Sequence, residues 1–223
     1  MRKVWLATVA AVITTPLMGL PAWAAPCVVA PVATYEAAGF SCSVDGVTFS
    51  NIIVNATVSG GGTVVLGDFS PFTIGAENGL ALNYTALAVA VGSTADVTWT
   101  YNVTGANLAD AFMSLNGTAT GTGGIRLSEV LSPNGVTLTL LGAGETSATF
   151  APIGSLFVSK DQLDFAGTGG TAESSAILNG FSLSTVPIPG ALPLLATGLA
   201  GLWALRRRKR KSPDATPLGP ALA

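Results

Sequence analysis

Over residues 96–104 the chain alternates without a fault. Val97, Trp99, Tyr101 and Val103 take one side, and Thr98, Thr100, Asn102 and Thr104 take the other. Successive side chains of extended backbone point to opposite faces, so period two marks a strand with one face buried. The surrounding middle of the chain is built from Gly, Thr, Ser, Val, Ala and Asn, with few Lys, Glu or Gln. Those residues suit strands and turns rather than helices. Further strands are expected over 47–58, 63–69, 80–91, 112–120, 125–131, 136–141, 146–150, 156–158 and 177–184. Glycine and Asn-Gly punctuation separates them: Gly60-Gly61-Gly62, Glu77-Asn78-Gly79, Gly121 to Gly124, Pro133-Asn134-Gly135, Gly142-Ala143-Gly144 and Gly167 to Gly170. Asn-Gly between apolar runs is a strong hairpin cue. Residues 106–113 have room for a short helix. Short strands at this spacing predict an all-β domain, a β-sandwich or jelly roll over residues 25–184. An outer-membrane barrel would need aromatic girdles at both interfaces, and the aromatic content is 7%.

The two ends read as addresses. Arg2 and Lys3 precede an apolar run over 4–13, interrupted by Thr8. Pro16 and Gly19 then break the helix, and Ala22-Trp23-Ala24 supplies a small-x-small cleavage pattern. Residues 1–24 therefore read as a secretory signal peptide for the Sec export machinery, cut after Ala24 to leave Ala25 first. Near the other end, residues 188–205 form an uncharged apolar segment. As a transmembrane helix it would be about 27 Å long, just short of a ~30 Å hydrocarbon core. Arg206, Arg207, Arg208, Lys209, Arg210 and Lys211 follow at once. The positive-inside rule keeps them in the cytoplasm and everything before Pro187 outside. Residues 212–223 read as a disordered cytoplasmic tail.

The order Val186-Pro187-Ile188-Pro189-Gly190-Ala191-Leu192-Pro193, then an apolar helix, then an arginine cluster, resembles the PEP-CTERM sorting signal. Within that family it is closer to the variant whose motif reads Val-Pro-Leu-Pro-Ala. Gly190 replaces the variant's alanine and Ile188 its leucine, and residues 212–223 extend past the basic run. The resemblance covers 185–211 and implies recognition at Val186 to Gly190 by a membrane-embedded, transpeptidase-like exosortase. It further implies passage of the exported domain to the cell surface or extracellular matrix of a Gram-negative bacterium that makes exopolysaccharide. Cys27, Gly39-Phe40-Ser41-Cys42 and Val47-Thr48-Phe49-Ser50-Asn51 are similar to the start of exported domains that often precede such tails.

Chemistry is scarce. The chain contains no histidine, which removes the imidazole general base, the Ser-His-Asp triad and any His-containing metal site. The middle holds Arg126 and Lys160 against eleven acids, a net charge of −9, so nucleic acid is not an expected partner. Cys27 and Cys42, an even pair in an oxidising compartment, read as a disulfide. The alternative, a redox or metal pair, lacks a Cys-x-x-Cys and a neighbouring histidine. Asp161 and Asp164 with loop carbonyls offer a weak Ca²⁺ signature, without an EF-hand pattern. No other cofactor is expected. Gly121 to Gly124 and Gly167 to Gly170 lack the Lys-Ser/Thr of a phosphate loop. Outward Asn and Thr suit carbohydrate contact, and Trp99 is either a sugar platform or core.

These readings predict a non-enzymatic exported protein, structural or adhesive, linked to exopolysaccharide or biofilm. The alternatives are a lectin-like carbohydrate-binding module and a secreted hydrolase using paired carboxylates.

Overall fold

The computed structural model describes residues 24–184. The expected signal peptide, except Ala24, lies outside the described residues, as do the sorting motif Val186 to Gly190 and the basic run Arg206 to Lys211. Among the described residues no helix is long and apolar enough to cross a membrane.

The domain is all-β apart from one four-residue helical turn, Val32–Tyr35. In chain order the strands are β1 (Ala25–Pro26), β2 (Ala30–Pro31), β3 (Ser41–Val44), β4 (Val47–Ser59), β5 (Thr63–Ile74), β6 (Glu77–Ala88), β7 (Thr94–Thr120), β8 (Gly124–Ser132), β9 (Thr137–Leu141), β10 (Gly144–Phe165) and β11 (Thr171–Leu183). They form one hydrogen-bonded sheet that curls so that its two halves face each other. The long strands β7 and β10 serve both halves. From Thr94 to Thr104, β7 lies between β4 and the second part of β10. From Leu108 onward it lies between β11 and the first part of β10. The front half therefore runs β3-β4-β7-β10-β8-β9, and the back half runs β2-β5-β6-β11-β7-β10.

The change of partner happens at an irregularity. Asn107 takes a left-handed backbone, φ 66°, a conformation that Asn tolerates better than most residues. Beside it, a side chain on Gly105 would strike those of Leu183 and Leu108. Opposite, β10 slips register on both sides of Ile153. The extra residue explains the helix-like cue at 106–113. Leu108 and Ala111 are both buried although three apart, because a bulge intervenes, after which Met113 and Leu115 resume period two. The segment is strand, and the short helix it had room for does not form.

The space between the halves is filled by inward residues of both. Trp99 packs on Phe69 with ring centroids 5.0 Å apart and on Tyr101 at 4.8 Å. Phe49 reaches Phe181 across the gap at 6.4 Å. Leu80, Leu82, Met113, Val97, Val103 and Val158 complete an apolar core with no exposed surface. Two further expectations shift. Asn78-Gly79 lies inside β6, and the turn falls three residues earlier, at Gly75 and Ala76. The strand expected over 156–158 continues to Phe165, because the inward residues after Val158 are Lys160, Gln162 and Asp164.

A candidate binding face on the front half-sheet

If Val97, Trp99, Tyr101 and Val103 face inward, their neighbours must face out, and strand pairing sets those neighbours in rows. Ser50, Asn102, Phe157 and Ser132 lie side by side across four strands. The next row is Ile53, Thr100, Ser159, Val130 and Thr137, and the one after is Asn55, Thr98, Asp161, Ser128 and Thr139. The face is therefore a lattice of hydroxyls and amides with spaced apolar patches. Phe157 is 47% exposed and Phe165 38%. Phe157 also lines a depression of about 490 Å³ with Ser50, Asn102, Thr104, Ser132, Pro133, Ser155 and Leu156. Charge is limited to an exposed ion pair, Arg126 to Asp161 at 3.7 Å, and to Asp96 beside it. The Asp96 carboxyl is pushed up by partial burial and by the Asp161 charge, against a lowering pull from Arg126.

Trp99, the sugar platform considered from sequence, is fully buried and belongs to the core. The outward aromatics are Phe157 and Phe165 instead. No alternation announced Phe157, since Leu156, Phe157 and Val158 are all apolar and only strand pairing decides which of them faces out.

Cys27 and Cys42 are joined, with Cα atoms 4.8 Å apart. Ala25, the expected first residue after cleavage, pairs in parallel with Cys42 in β3. An open groove of about 1040 Å³ runs beside the disulfide, lined in part by Ala24, Ser43, Asp45, Thr73 and Thr104.

The scattered acids do not form a calcium site of the kind considered. Asp161 faces out toward Arg126, whereas Asp164 faces in, where Gln162 Nε2 donates to it at 2.5 Å and Ser174 Oγ at 2.8 Å. They lie on opposite faces of β10. Among the described residues no three acids or cysteines gather closely enough to hold a metal. Glu77 and Asp110 do meet, on the outer face of the back half-sheet, flanking Ser182. Burial first, then the charge and hydrogen bond of Asp110, push Glu77 up to about 7.

No protein-family model matches the chain, and no curated protein does. Among solved structures it is similar to the enzymatically active domain of bacteriophage CBA120 tailspike protein 4, at 17% identity and TM-score 0.31, covering 59% of this chain and 19% of that one. The chain thus spans about a fifth of the tailspike domain. It is also similar to TmCBM61 solved with β-1,4-galactotriose, at 10% identity and TM-score 0.28, covering 56% and 86%. A third is the family 11 carbohydrate-binding module of Clostridium thermocellum solved with a mixed-linked tetrasaccharide, at 11% identity and TM-score 0.26, covering 59% and 91%.

Proposed function

We propose that the domain is a non-catalytic carbohydrate-binding module that holds a neutral polysaccharide against the outer face of its front half-sheet. The observation that carries this is the juxtaposition on that face of Phe157 with Ser50, Asn102 and Ser132 around a shallow depression. A sugar ring presents C–H surface to an aromatic plane and hydroxyls at its rim. An exposed aromatic among short hydroxyl and amide side chains meets both needs. Asp96 and Asp161 outweigh Arg126 on the face, which disfavours an acidic polymer. A chain without histidine, whose carboxyl pair lies on another surface, favours holding over cleavage. The setting we propose is the bacterial surface or matrix, reached by signal-peptide export and sorting of the Val186 to Lys211 tail by an exosortase.

The test is retardation of the full chain in gels containing neutral polysaccharides, including that of its own host. The wild type should be retarded, and Phe157→Ala should bind about tenfold more weakly, the ~1.4 kcal/mol of one aromatic contact. Retardation unchanged by the substitution would move the site elsewhere, and no retardation by any neutral polysaccharide would remove it.

A further inference from the structure

Residues 24–184 contain one lysine, Lys160, and it is buried between the half-sheets rather than solvated. It sits on β10 opposite Glu129 of β8. Its Nζ donates to Glu129 Oε2, with both side chains fully buried. The same carboxylate reaches across the core to β11, where its Oε1 lies 3.5 Å from Asn179 Nδ2. Asn179 has no exposed surface. Its Nδ2 donates to the carbonyl of Phe112 at 2.7 Å, and its Oδ1 accepts the hydroxyl proton of Tyr101. Around this group lie Phe49, Trp99 and Phe181.

A buried ion pair is a weak source of stability, because desolvation offsets much of the attraction. As a reaction centre the same group is complete. It contains an amine, an amide carbonyl, a carboxyl touching both the amine and the amide nitrogen, and a hydroxyl on the carbonyl oxygen. We propose that Lys160 and Asn179 are joined by an isopeptide bond between Nζ and Cγ, formed in the folded domain with loss of ammonia.

Burial lowers the affinity of Nζ for its proton, against the opposing charge and hydrogen bond of Glu129. In the neutral form of the pair the proton rests on Glu129 and Nζ holds its lone pair. Nζ attacks Cγ, and the charge that develops on Oδ1 is met by the Tyr101 hydroxyl. Glu129 gives its proton to Nδ2 and takes one from Nζ. The Cγ–Nδ2 bond breaks and ammonia leaves. An amine and a primary amide become a secondary amide and ammonia, with no oxidant, reductant or cofactor. Holding the groups in place inside a dry core supplies the proximity that such a slow exchange needs. The product ties the front half-sheet to the back one through β11, the strand that precedes the tail.

Digestion with a protease that cuts after acidic residues, followed by tandem mass spectrometry of the reduced full chain, reads the bond. Asp161, Asp164 and Glu173 lie between the two residues, so a bonded protein yields one branched peptide containing both Lys160 and Asn179, lighter than their sum by one ammonia. Glu129→Gln should yield separate peptides at sequence mass. Asn179→Asp should give the same branch, in a protein lighter by one water instead of one ammonia. Separate peptides from the wild type overturn the proposal, whether or not the variants fold. So does ammonia loss confined to a linear peptide, because Asn179 precedes Gly180 and a succinimide there has the same mass.

Discussion

At the scale of single residues, the core of this domain departs from the pattern that announced it. The strict alternation of 96–104 is honoured by the fold, with Val97, Trp99, Tyr101 and Val103 all inside. On β10 the inward positions are Val158, Lys160, Gln162 and Asp164. A polar residue reads as outward in any hydrophobicity pattern, so the sequence points to the wrong face there. Lys160 is met by Glu129 and Asp164 by Ser174, and these in turn are met by Asn179 and Tyr84, all from segments far off in the sequence that pattern reading cannot pair. These polar groups also make stability depend on pH. Burial raises Asp164 to about 6, although hydrogen bonds from Ser174 and Gln162 pull it down, and Glu77 rises to about 7. Both values lie above those of the unfolded chain, so the folded state holds protons that the unfolded state releases. The resulting stability is fully present below about pH 4 and is lost as pH rises through 6 to 7. The urea midpoint should therefore be lower near pH 8 than near pH 5. A midpoint that is equal or higher at pH 8 contradicts the assignment.

At the scale of elements, strand positions were largely legible and strand continuity was not. Expected segments at 96–104 and 112–120 are one strand, β7, and those at 146–150 and 156–158 are parts of another, β10. Both pass through irregular residues where partners change, at Asn107 and around Ile153. A bulge breaks the periodicity in the sequence without ending the strand. The disulfide was legible because two cysteines in a chain expected to be exported leave one pairing. It spans 15 residues and fastens β1 and the first helical turn to the β3–β4 hairpin. Replacing Cys27 and Cys42 together with serine should cost about 3 kcal/mol by chain entropy. An unchanged urea midpoint would show that the unfolded chain is not freed by the loss.

At the scale of the whole molecule, charge separates the chain into parts with different expected fates. Arg126 and Lys160 are the cations of a region with eleven acids, while eight cations lie near the ends. The terminal clusters read as topology signals, and the sorting account makes a direct prediction for them. Protein recovered from its own host should end between Pro187 and Pro189 by mass spectrometry. An intact Lys211 would make the tail a permanent anchor. The proposed binding face was half legible. Outward Thr98, Thr100 and Asn102 followed from alternation, but the outward place of Phe157 emerged only when β10 was paired with β7 and β8. The most direct measurement of the central claim is the amide chemical-shift map of the domain titrated with oligosaccharides of the polymer that retards it. The account predicts shifts concentrated at Thr100, Asn102, Ser132, Phe157 and Ser159 and largely lost in Phe157→Ala. Shifts clustered instead along the groove beside Cys27 and Cys42, or spread evenly with no cluster, would contradict it.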